Sequence, residues 1–208
     1  MPDYLPVMLK TARLPCLVVG GGKIARRKVL VLLRFGARVT VVAEELNRGL
    51  AKLADRQLIC WRRKKFGLAD LLFQKVVIAA TDDPVVNRQV SQWADRMRIL
   101  CNSVDNSEQS GFIFPAIYHS DPLTVAISTQ GYYPAATKQI KRRFAKDYGG
   151  AYGEYLKKLK AFRQLLKTSE GNPRRRRHLL NRLLRVDSQV VIGWNEKEFK
   201  EWLGNERG

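Results

Sequence analysis

Cys16-Leu-Val-Val-Gly20-Gly-Gly-Lys-Ile-Ala25 is the stretch on which the reading of this chain turns. A short apolar run ends in three glycines, which is the pattern of a buried strand running into a turn. Residues 24 to 35 then set Ile24, Ala25, Val29, Leu32 and Leu33 at helical spacing, and Gly36 closes that helix in the C′ position. Gly20, Gly22 and Ala25 stand in G-x-G-x-x-A register across this strand-to-helix junction. Gly20 permits the tight turn, Gly22 lets a pyrophosphate approach the backbone, and Ala25 allows the helix to pack closely on the sheet. The start of the helix offers free N–H groups and a partial positive charge. Gly20, Gly21, Gly22, Lys23, Ile24 and Ala25 are therefore the expected cofactor-binding loop.

Working outward, Arg38-Val-Thr-Val-Val-Ala43 reads as a second strand, and Glu44 follows it, 22 residues beyond Gly22. An acid there accepts hydrogen bonds from the adenosine ribose, which favours NAD over its 2′-phosphorylated form. Glu45 is an equally placed candidate. Val76 to Ala80 and Arg98 to Cys101 read as further strands, with a helix over Val85 to Met97 between them. Continuous apolar strands alternating with helices predict an α/β fold with a parallel sheet covered on both faces. Residues 1–110 are thus expected to form a Rossmann-type, NAD-binding domain.

The pattern changes at Gly111. Phe112 to Tyr118 and Leu123 to Ser128 read as two strands joined by the turn His119-Ser-Asp-Pro122. Pro134 opens a helix over Ala135 to Lys146. Residues 111–148 form a small strand–helix region. Gly149-Gly150 breaks the chain, and residues 149–208 are expected to form a helical C-terminal domain with a basic tail. There Tyr155, Leu156, Leu159, Phe162, Leu165 and Leu166 share one face of a helix over 151–167. Gly171-Asn-Pro173 is a turn. Arg174 to Arg177 start a basic, leucine-rich helix, and Asn195-Glu-Lys-Glu198 is a capping-box pattern.

Composition bounds the function. The 208 residues are 45% apolar and 27% charged, as in globular domains, and long enough to bury a core unaided. No apolar run is long enough to span a bilayer, and the opening Met1-Pro-Asp-Tyr-Leu-Pro has no secretory pattern, so a cytoplasmic protein with no membrane partner is expected. Lys and Arg total 38 against 19 Asp and Glu, a net charge of +19. The excess is denser beyond residue 137. It points either to a polyanionic partner or to a solvated basic surface. Cys16, Cys60 and Cys101 lack zinc spacing and read as reduced thiols; no metal site is expected.

Four segments in consistent order resemble one family. Val19 to Lys28 with Leu33 to Val41, then Ile78-Ala-Ala-Thr-Asp-Asp-Pro-Val-Val-Asn87, then Cys101-Asn-Ser-Val-Asp105, then Phe112-Ile-Phe-Pro115 with Leu123 to Pro134, are similar to the siroheme synthase N-terminal module. That family comprises precorrin-2 dehydrogenases, some of them also sirohydrochlorin ferrochelatases. The resemblance covers roughly residues 4 to 167. One departure is visible: the family has serine before the proline of its G-x-S-P turn, and this chain has Tyr133.

The resemblance implies NAD-dependent oxidation of precorrin-2 to sirohydrochlorin, with Fe2+ chelation as a further step in some members. It implies a homodimer built through the middle region. It places Asp105 in the chemistry, in proton removal or metal handling. Read alone, Asp105 is more readily a turn or cap residue before Asn106-Ser107. Thr81, at a strand end, is a cofactor candidate, whereas Asp82 reads as the cap of the helix beginning near Pro84. Ser128, Lys138 and Arg142 are the substrate candidates, because precorrin-2 carries many carboxylates that cationic side chains pair with. A different class of function is an NAD-sensing regulator whose basic tail binds nucleic acid. No helix-turn-helix or aromatic RNA-binding motif supports it, so nucleic acid is not the expected partner.

Overall fold

The computed structural model describes residues 4–106 and 108–206. Its contacts divide the chain into two units, Met1–Phe114 and Pro115–Gly208.

The first unit alternates strand and helix: β1 (Pro15–Val19), α1 (Lys23–Arg34), β2 (Arg38–Val42), α2 (Arg48–Asp55), β3 (Cys60–Arg62), β4 (Val76–Ala79), α3 (Pro84–Arg96) and β5 (Leu100–Ser103). The five strands form one parallel sheet in the order β3-β2-β1-β4-β5. The direction of winding reverses between β1 and β4, and in such sheets ligands bind outside the strand ends at that reversal. Side chains alternate across the sheet as the pleat requires. Cys16, Val18, Val41 and Ile78 pack with Ala25, Val29 and Leu32 of α1 on one face. Leu17, Val19, Val77 and Ala79 pack with Val90 and Ala94 of α3 on the other. Each such fully buried Val or Leu contributes roughly 1.5–3 kcal/mol, and this two-sided burial is why the strands lack polar alternation.

Some of the local expectations are corrected. The fourth predicted strand begins at Leu100 and not at Arg98, because Arg98 adopts φ 55° and ends α3 in a left-handed turn. Residues 44–75 carry elements that the apolar pattern did not reveal: α2, β3 and a 3-10 turn at Leu68–Leu71. Edge strand β3 is three residues long and mostly exposed, and α2 buries only Leu50, so neither leaves a strong periodic signal. Asp70 in the 3-10 turn is 2% exposed and joins Arg62, Lys64 and the Gly67 N–H at 3.0, 2.7 and 3.0 Å.

The second unit begins with the antiparallel pair β6 (Ala116–Ser120) and β7 (Leu123–Ile127) and continues with α4 (Pro134–Asp147), α5 (Ala151–Ser169), α6 (Pro173–Leu183), α7 (Ser188–Gly193) and α8 (Glu196–Asn205). The first predicted strand of this region is shorter than expected. Phe112 and Phe114 instead pack on the α1 side of the parallel sheet, with the Lys28 ammonium 4.0 Å over the Phe114 ring. His119, expected in the turn, lies in β6 and meets Thr124 Oγ1 at 2.7 Å. The helices close over Tyr155, Phe162, Leu166, Leu179, Leu183, Val191, Phe199 and Leu203, and Phe162 stacks on Phe199 at 4.1 Å. Asn172, Asp187 and Asn195 cap α6, α7 and α8 through their side-chain oxygens. Among the described residues no helix is long and apolar enough to cross a membrane.

Candidate active site

At the end of β1 the backbone must turn sharply, and Gly20 does so with φ 119°. A Cβ on Gly20 would lie 2.6 Å from the Ala80 carbonyl carbon and closer still to its oxygen, so the position excludes any other residue. This contact also brings the end of β4 against the glycine turn. Gly21 is enclosed in turn by the carbonyl of Glu45. Gly22 differs: a Cβ there would meet nothing within 4 Å. It caps α1 without any side-chain hydrogen bond, and the first turn holds no acid. The open space at Gly22, above the uncapped N–H groups of α1, fits a pyrophosphate. Lys23 and Ile24 are exposed in the first turn and Ala25 is fully buried against the sheet.

One residue that the sequence reading did not single out holds this loop. The Asn47 side-chain amide donates to the carbonyls of Gly21 (3.0 Å) and Gly22 (2.7 Å), while its oxygen accepts from the N–H groups of Gly49 and Leu50. One side chain thus caps α2 and anchors the glycine turn. The available signal was an asparagine just before the spaced apolar residues Leu50 and Leu53. Glu44 and Glu45 lie between β2 and Asn47 and are both exposed. Either carboxylate stands in the segment that wraps the turn, where an acid would be placed to accept from a ribose.

A second cluster forms where β4 and β5 end. Thr81 lies two residues beyond β4, and its N–H and hydroxyl both donate to Asn87 Oδ1, at 3.0 and 2.8 Å. Asn87 Nδ2 donates to the Thr81 carbonyl at 3.0 Å and to Asp105 Oδ2 at 2.9 Å. Ser103 donates to Asp105 Oδ1 at 2.5 Å. Partial burial works to raise the Asp105 carboxyl, but the donors Ser103 and Asn87 and the backbone N–H groups of Asp105 and Asn106 hold it below its ordinary value. Asp105 is therefore an exposed carboxylate fixed in its ionised form. The cap expected at Asp82 belongs to Asp83, whose Oδ1 accepts from Val85 N at 2.8 Å; the helix starts one residue later than Asp82 could serve.

The substrate candidates fall in the second unit. Ser128 is exposed and its hydroxyl accepts from Gln130 N at 3.0 Å, closing a local turn. Lys138 and Arg142 are exposed and lie one helical turn apart on α4. Tyr133 gives α4 no side-chain cap, and the turn is held by Thr129 Oγ1 accepting from Tyr133 N at 3.1 Å. The three cysteines are free, Cys16 and Cys101 buried and Cys60 exposed. Among the described residues no three His, Cys, Asp or Glu side chains gather as a metal site.

Three comparisons with known proteins agree with this geometry. The family model described as "Putative NAD(P)-binding" matches residues 7–116. Siroheme synthase of Methylococcus capsulatus is 41% identical over 182 residues, 88% of this chain and 38% of that protein. Siroheme synthase 1 of Klebsiella pneumoniae is 38% identical over 208 residues, 98% of this chain and 44% of that protein. The chain thus spans about two-fifths of the length of these curated relatives. The solved structure of SirC, precorrin-2 dehydrogenase, superposes with a TM-score of 0.75 at 30% identity, covering 97% of this chain and 98% of that one.

Proposed function

This chain belongs to the family described as putative NAD(P)-binding and is related to SirC, precorrin-2 dehydrogenase, and from that premise we propose that it oxidises precorrin-2 to sirohydrochlorin with NAD. The observation that carries the reading is the match to SirC along nearly the whole of both chains. The siroheme synthases support the same tetrapyrrole chemistry.

The reaction removes two hydrogens from the substrate, one as hydride and one as a proton. NAD, when bound, would supply the acceptor for the hydride and its electron pair. Gly20 to Ala25 would hold its pyrophosphate at the N-terminus of α1, and Glu44 or Glu45 would accept from its ribose hydroxyls. Asp105 serves the other half of the balance. As hydride leaves, positive charge develops on the tetrapyrrole, and an ionised carboxylate stabilises it. The proton released from that cation is acidic, so a weak base suffices to accept it and pass it to solvent. Thr81 lines the β4 end beside the glycine turn. Lys138 and Arg142, with Ser128, are the proposed partners of the substrate carboxylates.

The working form is proposed to be a homodimer. The β6–β7 ribbon packs on α4, where Tyr118 meets Phe144, and among the described residues neither of its edges has a further strand, which leaves them able to pair with a second copy. Free thiols, one of them exposed, suit a reducing cytoplasm. The test is an anaerobic assay with precorrin-2, following NADH and the tetrapyrrole spectrum in wild type and Asp105→Asn. Sirohydrochlorin formation that needs NAD, lost by at least about 100-fold in the variant with NAD binding kept, is the expected result. A folded, NAD-binding wild type without turnover refutes the reading.

A further inference from the structure

We propose that Asn87 is a positioning residue: it locks the Asp105 carboxylate to the loop that follows β4, and so to the glycine turn. This rests on the role assigned to Asp105 above and adds the group that aims it. Asn87 is 1% exposed and uses its whole hydrogen-bonding capacity, two acceptances on Oδ1 and two donations from Nδ2. Three of those bonds hold Thr81 by both its backbone groups and its hydroxyl, and the fourth holds Asp105. The Thr81 N atom lies 3.0 Å from where a Gly20 Cβ would be, so the strut ends against the turn that binds cofactor. Asp105 itself follows β5 on an exposed loop, and Ser103 fixes only one of its oxygens. Without Asn87 the carboxylate keeps only Ser103 and the backbone N–H groups of Asp105 and Asn106, none of which ties it to the loop after β4. Displacing a reacting group by about 1 Å costs on the order of 100-fold in rate.

The groups meeting the Asp105 carboxylate are uncharged: Ser103 from β5, Asn87 from α3 and the local backbone N–H groups of Asp105 and Asn106. Among the described residues none of the ion pairs involves Asp105. That neutrality makes one substitution diagnostic. Asn87→Asp keeps the acceptor for Thr81 but sets a second carboxylate against Asp105 Oδ2. At pH 8 both are ionised and repel. On acidification the pair shares one proton, and one of its two titrations lies well above the ordinary carboxylate range. The shared proton restores the lost bond.

The experiment measures kcat, KM for NAD and NAD dissociation for wild type, Asn87→Asp and Asn87→Ala between pH 5.5 and 8.5, a range chosen to be about three units wide around the ionisation expected for such a pair. The expected result is a kcat for Asn87→Asp lowered about 100-fold at pH 8 and at least about tenfold recovered near pH 6. Asn87→Ala is lowered similarly at every pH, and NAD dissociation changes in both by less than about fivefold. A residue that merely supports the fold would lower melting temperature and active fraction, without a pH-dependent recovery. Wild-type kcat in either variant overturns the proposal. So does loss of NAD binding in parallel with kcat and with no recovery on acidification. If Asn87→Asp does not fold at pH 8, NAD binding and kcat of Asn87→Ala decide between the same outcomes. Turnover by wild type in the same assay separates this proposal from that of the reaction itself.

Discussion

Gly22→Ala should weaken cofactor binding without unsettling the fold, and Gly20→Ala should do the reverse. A Cβ at Gly22 meets nothing within 4 Å and the backbone there has φ −83°, which alanine adopts freely. Gly and Ala differ at an N-cap by at most about 1 kcal/mol. The same methyl occupies the space through which a phosphate reaches the N–H groups of α1. Losing one charge-assisted bond and part of the helix-end attraction costs about 2–3 kcal/mol, or roughly 30–150-fold in dissociation constant. At Gly20 the residue needs φ 119° and its Cβ overlaps the Ala80 carbonyl. Ala80 cannot retreat easily, because its N–H donates to Val19 at 2.8 Å within the sheet. Backbone strain of about 1–3 kcal/mol plus the displaced strand end totals on the order of 4 kcal/mol. In a chain of this size that lowers Tm by roughly 10 °C. Calorimetric titration with NAD and thermal melts of both variants check the contrast. Wild-type NAD affinity in Gly22→Ala, or an unchanged Tm in Gly20→Ala, refutes the assignment of the two glycines.

Three further predictions concern other residues of the first unit. Asn47→Ala removes the cap of α2 and the clamp on the glycine carbonyls together, so stability should fall by about 2 kcal/mol and the NAD dissociation constant should rise several-fold; denaturant melts and titration check both. Burial, with Arg27 nearby, pushes Lys28 down to about 8 in the folded protein. Between pH 8 and about 10.5 the unfolded chain holds the proton and the folded one does not, so stability should rise with pH there. Lys28→Met should raise Tm by a few degrees at pH 7, the Phe114 contact offsetting part of the gain, and the difference should close towards pH 10. For Asp70, burial alone would raise the carboxyl, but Lys64, the Gly67 N–H and Arg62 hold it below its ordinary value. Its contribution is therefore present above about pH 4 and lost as pH falls further. Asp70→Asn should lose about 2 kcal/mol at pH 7 by denaturant melts and less near pH 2.

Several elements were open in the sequence for local reasons. Cys16–Val19 and Val76–Ala79 are buried on both faces, so their apolar character is unbroken, and the glycine register marks the turn at any tertiary setting. Caps at Asn195 and the break at Gly149-Gly150 depend on neighbours within a few residues and were equally plain. Residues 44–75 were not, because β3 is an exposed edge and α2 buries one leucine; their placement comes from the sheet they join. The candidate site divides along the same line.

What the sequence by itself determined is the α/β alternation, the phosphate-binding turn and the presence of a carboxylate after a strand, since each rests on residue type and short spacing. Only the tertiary structure decided which groups act together. Asn47 meets the glycine turn across about 25 positions, and Asn87 meets Asp105 across 18. An asparagine has no periodicity and no charge to announce a partner. Its role comes into being only when the parallel strands bring their ends side by side and bury it where each of its hydrogen bonds must be made.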